Sequence, residues 1–372
     1  MNEFTRFSIV REGVIYRQDT GYQGYYARVV RLGLKELVCS FIASTVHEGP
    51  DCHPVITRSV DNGITWAVEG PVDRRRPKKF PPTETGFISR DGDGSLFCLG
   101  AQWQVNPQDP NEGIINAKTV GMKDNVVLLR KSSDGGRTWT PGAPVRKPLD
   151  CPFEIPTGIV PLNDGTHLMS FATWKKWDGS MPFGHSIRII TSSDRCKTWS
   201  APVTIFHDTT DRVGFWEGRV TQAGGDRLFA SSWTHDWAAD KDLPNHYAIS
   251  NDRGRTWTRP MASPVNGQTS WPLYLGNDLF FFVYNHRRPP VGVKAQLMRL
   301  DGEKWISVHD DMVWSSENKA VATISKDNYA VTGFQFGLPS AIVFDDRHLM
   351  VVYWCVVGGR AGINYTLVSL GS

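Results

Sequence analysis

Apolar runs of strand length alternate with short polar turns along the whole chain, and one such alternation recurs six times. A polar turn, a leucine and an apolar strand follow one another at Lys35-Glu36-Leu37-Val38, Gly94-Ser95-Leu96-Phe97, Thr166-His167-Leu168-Met169, Asp226-Arg227-Leu228-Phe229, Asn277-Asp278-Leu279-Phe280 and Arg347-His348-Leu349-Met350. The leucines recur at intervals averaging about 62 residues, a period that belongs to repeat architectures. A second motif, Ser-x-Asp-x-Gly-x-Thr-Trp, is interleaved with the first. It runs over Ser59 to Trp66, Ser132 to Trp139, Ser192 to Trp199 and Ser250 to Trp257, with a decayed copy at Asp301-Gly302-Glu303-Lys304-Trp305. This motif predicts a hairpin turn in which the Asp carboxylate accepts backbone N–H groups, Gly supplies a left-handed residue and Trp packs on the sheet. Cys196 replaces the Gly in the third copy, which predicts strain or an altered turn there.

Each unit reads as strand, tight turn, apolar strand, longer loop, strand, Ser-x-Asp turn and strand, a four-stranded antiparallel meander. Six meanders set radially make an all-β, six-bladed β-propeller, an architecture without long exposed edges. The sixth unit stops after its third strand, Gly362 to Leu370, while the chain opens with an unpaired strand around Phe7 to Tyr16. The N-terminal strand is therefore expected to complete the last blade, so that residues 1–372 form one domain.

Composition sharpens this picture. The 35 Gly and 23 Pro suit a chain rich in tight turns. Lys plus Arg at 41 against Asp plus Glu at 38 leaves +3, too small a bias to imply nucleic acid or an anionic membrane. The run Arg74-Arg75-Arg76-Pro77-Lys78-Lys79 has no interleaved aromatics and reads as a solvated inter-blade loop. No apolar run approaches a membrane span, and no secretory leader is visible, so a cytoplasmic location is expected. Six cysteines without a C-x-x-C pair read as reduced, mostly buried thiols, and Cys52-His53 has no spaced partners for a metal, so no metal or cofactor is expected.

In a meander the two tight turns of each blade share one face, so the longer loops and inter-blade connections gather on the other, where function usually sits. That face would collect His47, Glu48, Asp51 and His53, the segment from Trp103 to Lys123, Trp174 and Trp177, His235-Asp236-Trp237, and Arg287-Arg288. The first strand of each blade would line the axis and lead with Tyr25-Tyr26-Ala27-Arg28, Glu154, Trp216-Glu217-Gly218-Arg219 and Trp271. Glu217 and Arg219 stand two apart, hence on one side of a strand, which predicts an ionised Glu217 suited to act as base or nucleophile. Of the 14 Trp, five belong to the turn motif, and Trp103, Trp174, Trp177, Trp216, Trp237 and Trp271 fall near the functional face as sugar-stacking platforms.

The Ser-x-Asp turns and six units resemble the sialidase superfamily, also called the Asp-box or BNR-repeat family, and look like its bacterial propellers of unassigned substrate. The resemblance implies an Arg triad for a sugar carboxylate, an Asp acid, and a Tyr nucleophile activated by Glu. Counted back from the Gly225-Asp226 turn, the Glu position is Glu217; Arg28 is the candidate first Arg, with Arg219, Arg287 and Arg288 as substitutes for the others. The acid position falls at Asp51 or Glu48, whereas the Tyr position holds Leu338. The resulting expectation is an exo-acting glycoside hydrolase on a terminal sugar, carboxylated or neutral. Its expected catalytic residues are Asp51 and Glu217, with Glu154 in reserve, and its substrate-binding residues are Arg28, Arg219, His47, His53, Trp216, His235, Asp236, Trp271, Arg287 and Arg288. Three alternatives stay open: an exo-arabinanase-like enzyme using Glu154 and Glu217, a polysaccharide lyase using His or Tyr as base, and a carbohydrate-binding propeller without turnover.

Overall fold

The computed structural model describes residues 4–77, 79, 81–106, 108–109, 112–316 and 334–372; Lys78 of the basic run lies outside them. Among the described residues there is no helix, and the strands form six antiparallel sheets. Blade 1 runs outward from Gln23–Arg31 through Leu37–Ser44 and His53–Ser59 to Ala67–Pro71. Blades 4 and 5 repeat it with Val213–Gln222 and Ser270–Gly276 as their first strands. In blades 2 and 3 the first strand is broken in two, at Thr83–Glu84 with Phe87–Arg90 and at Phe153–Glu154 with Val160–Pro161. Blade 6 consists of Phe336–Val343, His348–Val357, Arg360–Gly371 and, as its outermost strand, the N-terminal Arg6–Tyr16.

The six repeat leucines open or nearly open the second strand of their blades and are all buried between neighbouring blades, with Leu37, Leu96, Leu168 and Leu228 fully enclosed. That placement explains the period: each meander buries its apolar face only against its neighbours. The four Ser-x-Asp turns share one bonding scheme. In the first, Asp61 accepts from Thr65 N and from the Thr65 hydroxyl, and Ser59 Oγ accepts from Gly63 N at 2.8 Å. The third turn keeps the scheme, with Cys196 N donating to Ser192 Oγ at 2.9 Å. Of the two outcomes expected there, strain is the one observed: Arg195 and Cys196 both adopt left-handed backbone, at φ 62° and 63°. The decayed copy is a two-residue hairpin with Asp301 paired to Lys304. All six cysteines are buried free thiols.

Candidate active site

Three of the first strands depart from regular pleating at the same place. Register breaks fall between Tyr25 and Arg28 in blade 1, Trp216 and Arg219 in blade 4, and Gly337 and Ser340 in blade 6. Inside each break one non-glycine residue is left-handed: Tyr26 at φ 53°, Glu217 at 50° and Leu338 at 47°. A bulge re-aims a side chain, and all three of these residues line a basin of about 200 Å³ over the axis. Gly218 permits the bulge beside Ile187, because a Cβ there would stand 2.3 Å from Ile187 Cγ2.

The bulge also sorts the residues two positions further on. Arg28 and Arg219 do not line the basin; they are carried past its floor into a second cavity on the axis, together with Trp271. The expectation that Glu217 and Arg219 share one side of a strand is thus corrected, since the extra residue of the bulge breaks the two-residue alternation. Arg219 does favour the ionised form of Glu217, as expected, but does not bring it into the ordinary carboxylate range. Burial raises the Glu217 pKa above the usual carboxylate range, outweighing the lowering pull of Arg219, Arg28 and Arg287.

Glu154, from the broken first strand of blade 3, lies next to Glu217, whose backbone N donates to Glu154 Oε2 at 3.3 Å. Its pKa is raised further, by burial first and then by the charge of Glu217. Glu217 Oε2 has no hydrogen-bond partner among the described residues. Across the basin the Tyr26 hydroxyl donates to Glu48 Oε1 at 2.9 Å and sits 2.6 Å from His47 Nε2. With its proton on Glu48, the Tyr26 oxygen is left to accept from His47. His47 in turn stacks on Trp354 at 5.0 Å. Arg287 donates Nε to Gln268 Oε1 at 3.0 Å and Nη2 to the Phe336 carbonyl at 2.7 Å, with its guanidinium over the Phe336 ring. Aromatic and aliphatic walls close the basin: Trp103, Ile115, Met122, Trp174, Trp216 and Trp233 among them, with Trp174 and Trp216 stacked at 6.0 Å.

Of the residues singled out from sequence, Glu217, Glu154, Glu48, His47, Arg287, Trp103, Trp174 and Trp216 meet at the basin. The others stand elsewhere. Asp51 turns into its own loop, accepting from Ser44 Oγ at 2.6 Å and Thr45 N at 3.2 Å, and it is Glu48 that reaches the basin. His53 bonds the Asp51 carbonyl beneath that loop. His235 is fully buried against Asp242, Asp236 pairs with Arg212 at 2.9 Å, and Arg288 is exposed and donates to the Asn266 carbonyl. Trp177, Trp237 and Trp271 do not line the basin. Tyr26, Trp354, Gln268 and Asn285 do line it and were not selected. One sequence signal could have found Tyr26: Tyr26-Ala27-Arg28 and Glu217-Gly218-Arg219 share the pattern of a polar residue, a small residue and Arg at the head of a first strand.

No family model matches the chain, and no curated protein matches it. Among solved structures it is similar to a protein of unknown function from Dyadobacter fermentans, at 20% identity and TM-score 0.77, covering 98% of this chain and 99% of that one. A Hadza microbial sialidase matches at 15% identity and TM-score 0.65, over 94% of this chain and 66% of its own. An α-L-arabinanase from Penicillium chrysogenum matches at 14% identity and TM-score 0.62, over 97% and 98%. At these identities the likeness is one of fold: the chain shares the six-bladed propeller of sialidases and arabinanases, fold neighbours that are glycoside hydrolases.

Proposed function

We propose that the protein is an exo-acting glycoside hydrolase that uses Glu154 as proton donor and Glu217 as the ionised partner, acting on a terminal sugar seated in the basin. The observation that carries this reading is the adjacency of the buried Glu154 and Glu217, with three guanidiniums, Arg219, Arg28 and Arg287, favouring charge on Glu217 and only Arg219 favouring it on Glu154. Like charges this close resist ionising together, and Arg219, Arg28 and Arg287 draw the negative charge to Glu217, so the shared proton resides on Glu154. Glycoside cleavage needs that asymmetry, one carboxyl to protonate the leaving oxygen and one carboxylate to attack or to activate water. The stacked Trp174 and Trp216 suit the apolar face of a sugar ring, and Tyr26, Gln268 and Asn285 supply hydrogen bonds to its hydroxyls.

A neutral sugar fits best, because Arg287 is the one arginine among the described residues that line the basin and it already serves Gln268 and the Phe336 carbonyl. A panel of aryl α-L-arabinofuranosides, hexopyranosides, sialosides and uronides tests this, with aglycone release as the readout. Turnover on a neutral glycoside that falls at least ~10³-fold in Glu217→Gln and in Glu154→Gln, with folding intact, is the expected result. Binding without turnover on every glycoside would leave only a sugar-binding propeller. The close contact of Tyr26 with His47 near Arg287 favours one rival, β-elimination from a uronate, which would announce itself by an ultraviolet-absorbing unsaturated product.

A further inference from the structure

Past the bulges, the first strands run on toward the face opposite the basin and enclose a second axial cavity of about 300 Å³. Arg28, Arg90 and Arg219 line it, and no acidic side chain is among its lining residues. Arg28 and Arg219 are only 2% and 1% exposed, and both guanidiniums pack on the Trp271 ring, at 4.7 and 5.9 Å. Neither makes an ion pair at contact distance among the described residues. Arg28 gives its Nη groups to the carbonyls of Ala27, Leu338 and Pro156 and leaves Nε unsatisfied. Arg219 reaches only the Glu217 carbonyl, at 3.4 Å, leaving Nε and Nη2 unsatisfied. The Ser89 hydroxyl, on the same cavity, is also unsatisfied.

An arginine keeps its proton in a protein, and an unsatisfied buried charge is costly. Burial and the charge of Arg219 both act against the Arg28 cation, while Glu217 and Glu154 act on the pair only through space. Four buried donors and two like charges around one cavity describe a receptor for negative charge.

We propose that this cavity is an anion site that takes a small monovalent anion of chloride size, held by Arg219 Nε and Nη2, Arg28 Nε and the Ser89 hydroxyl. It is separate from the sugar basin, and it stands whether or not the protein is a glycosidase. The exposed ends of Arg90 and Val343 mark its mouth on the tight-turn face.

Diffraction from crystals grown in sodium bromide tests the site directly. An anomalous peak within hydrogen-bonding reach of Arg219 is expected, and water alone at that place overturns the proposal. In solution, replacing gluconate by bromide or chloride at constant ionic strength should raise the Tm by about 2 °C at saturation. Arg219→Gln should abolish that rise; acetate and formate in the same series show whether small carboxylates compete for the site. A bromide peak without any halide dependence of Tm would mean binding at crystal concentration only and also overturns it. The diffraction result uses the unaltered protein, so a variant that fails to fold leaves the test intact.

Discussion

A glutamate held at φ 50° is in backbone territory that side chains other than glycine avoid, at a cost of about 1–3 kcal/mol. Glu217 keeps that conformation because Gly218 and the register break leave its carboxylate no other direction than the basin. Burial raises both Glu217 and Glu154, and the sign of the effect on stability follows. A carboxyl whose folded pKa exceeds its unfolded value stabilises fully below about pH 4, and that contribution is lost as pH rises through the folded pKa. Glu154→Gln removes the cost while its amide oxygen still accepts from Glu217 N. Thermal melts should show the variant gaining little Tm over the parent near about pH 5 and progressively more toward about pH 9; a constant offset would contradict the buried, proton-holding Glu154. For turnover, both limbs of the pH profile should lie on the alkaline side of an ordinary carboxylate pair, with the acid limb lost in Glu217→Gln. At this scale the sequence was only half legible. Glu217 could be placed by counting from a turn, but a bulge of one residue, invisible in composition or alternation, moved Arg28 and Arg219 through the floor and brought Tyr26 up.

Among the elements, the Ser-x-Asp turn was the most legible because its bonds are local. Asp61 and Asp252 accept from the hydroxyl and N–H of the Thr four residues on, and these bonds hold both carboxylates near pKa 2. A lowered carboxylate pKa stabilises above its unfolded value, so this contribution should fade as pH falls from about 4 to 2, the opposite direction to the buried pair. The left-handed glycine of the turn is the sensitive position. In the fourth turn Gly254 has φ 85°, and a Cβ there would lie 2.7 Å from Ile189 Cδ1. Gly254→Ala should therefore cost about 1–3 kcal/mol by denaturant melt, from left-handed strain and the need to displace Ile189. Cys196 shows the turn surviving a side chain at this place, so the variant should fold and lose stability, not topology. The long loops were the least legible element. Whether Asp51 or Glu48 faces the basin depends on how Ser44 and Thr45 fold that loop, and no alternation pattern records it.

At the scale of the molecule, six-fold repetition made the architecture readable, yet repetition alone does not close a ring. Closure depends on the N-terminal strand, and its side chains show how. Phe7 is buried edge-on against Phe281 at 5.2 Å and His309 at 4.9 Å, both in blade 5. At the other end of the same strand Tyr16 stacks on Phe41 of blade 1 at 4.3 Å, and Arg11 donates to the Asn62 carbonyl in the first Ser-x-Asp turn. One strand paired to Arg360–Gly371 thus grips the blades on both sides of its own, joining chain segments more than 300 residues apart. Such long-range closure comes late in assembly, because the loop entropy must be overcome before the contacts form. Phe7→Ala should cost about 3 kcal/mol, a Tm loss of about 4 °C at this chain length. Removing the strand through Tyr16 should do far more: it bares the Arg360–Gly371 edge and unhooks blades 5 and 1 together, so the melt should broaden and fall by more than about 10 °C. Adding a peptide of the Arg6–Tyr16 sequence in trans should sharpen the transition again. If the truncated chain instead melts as cooperatively as the parent, closure resides in the blade-to-blade core alone and the strand is an ornament on blade 6.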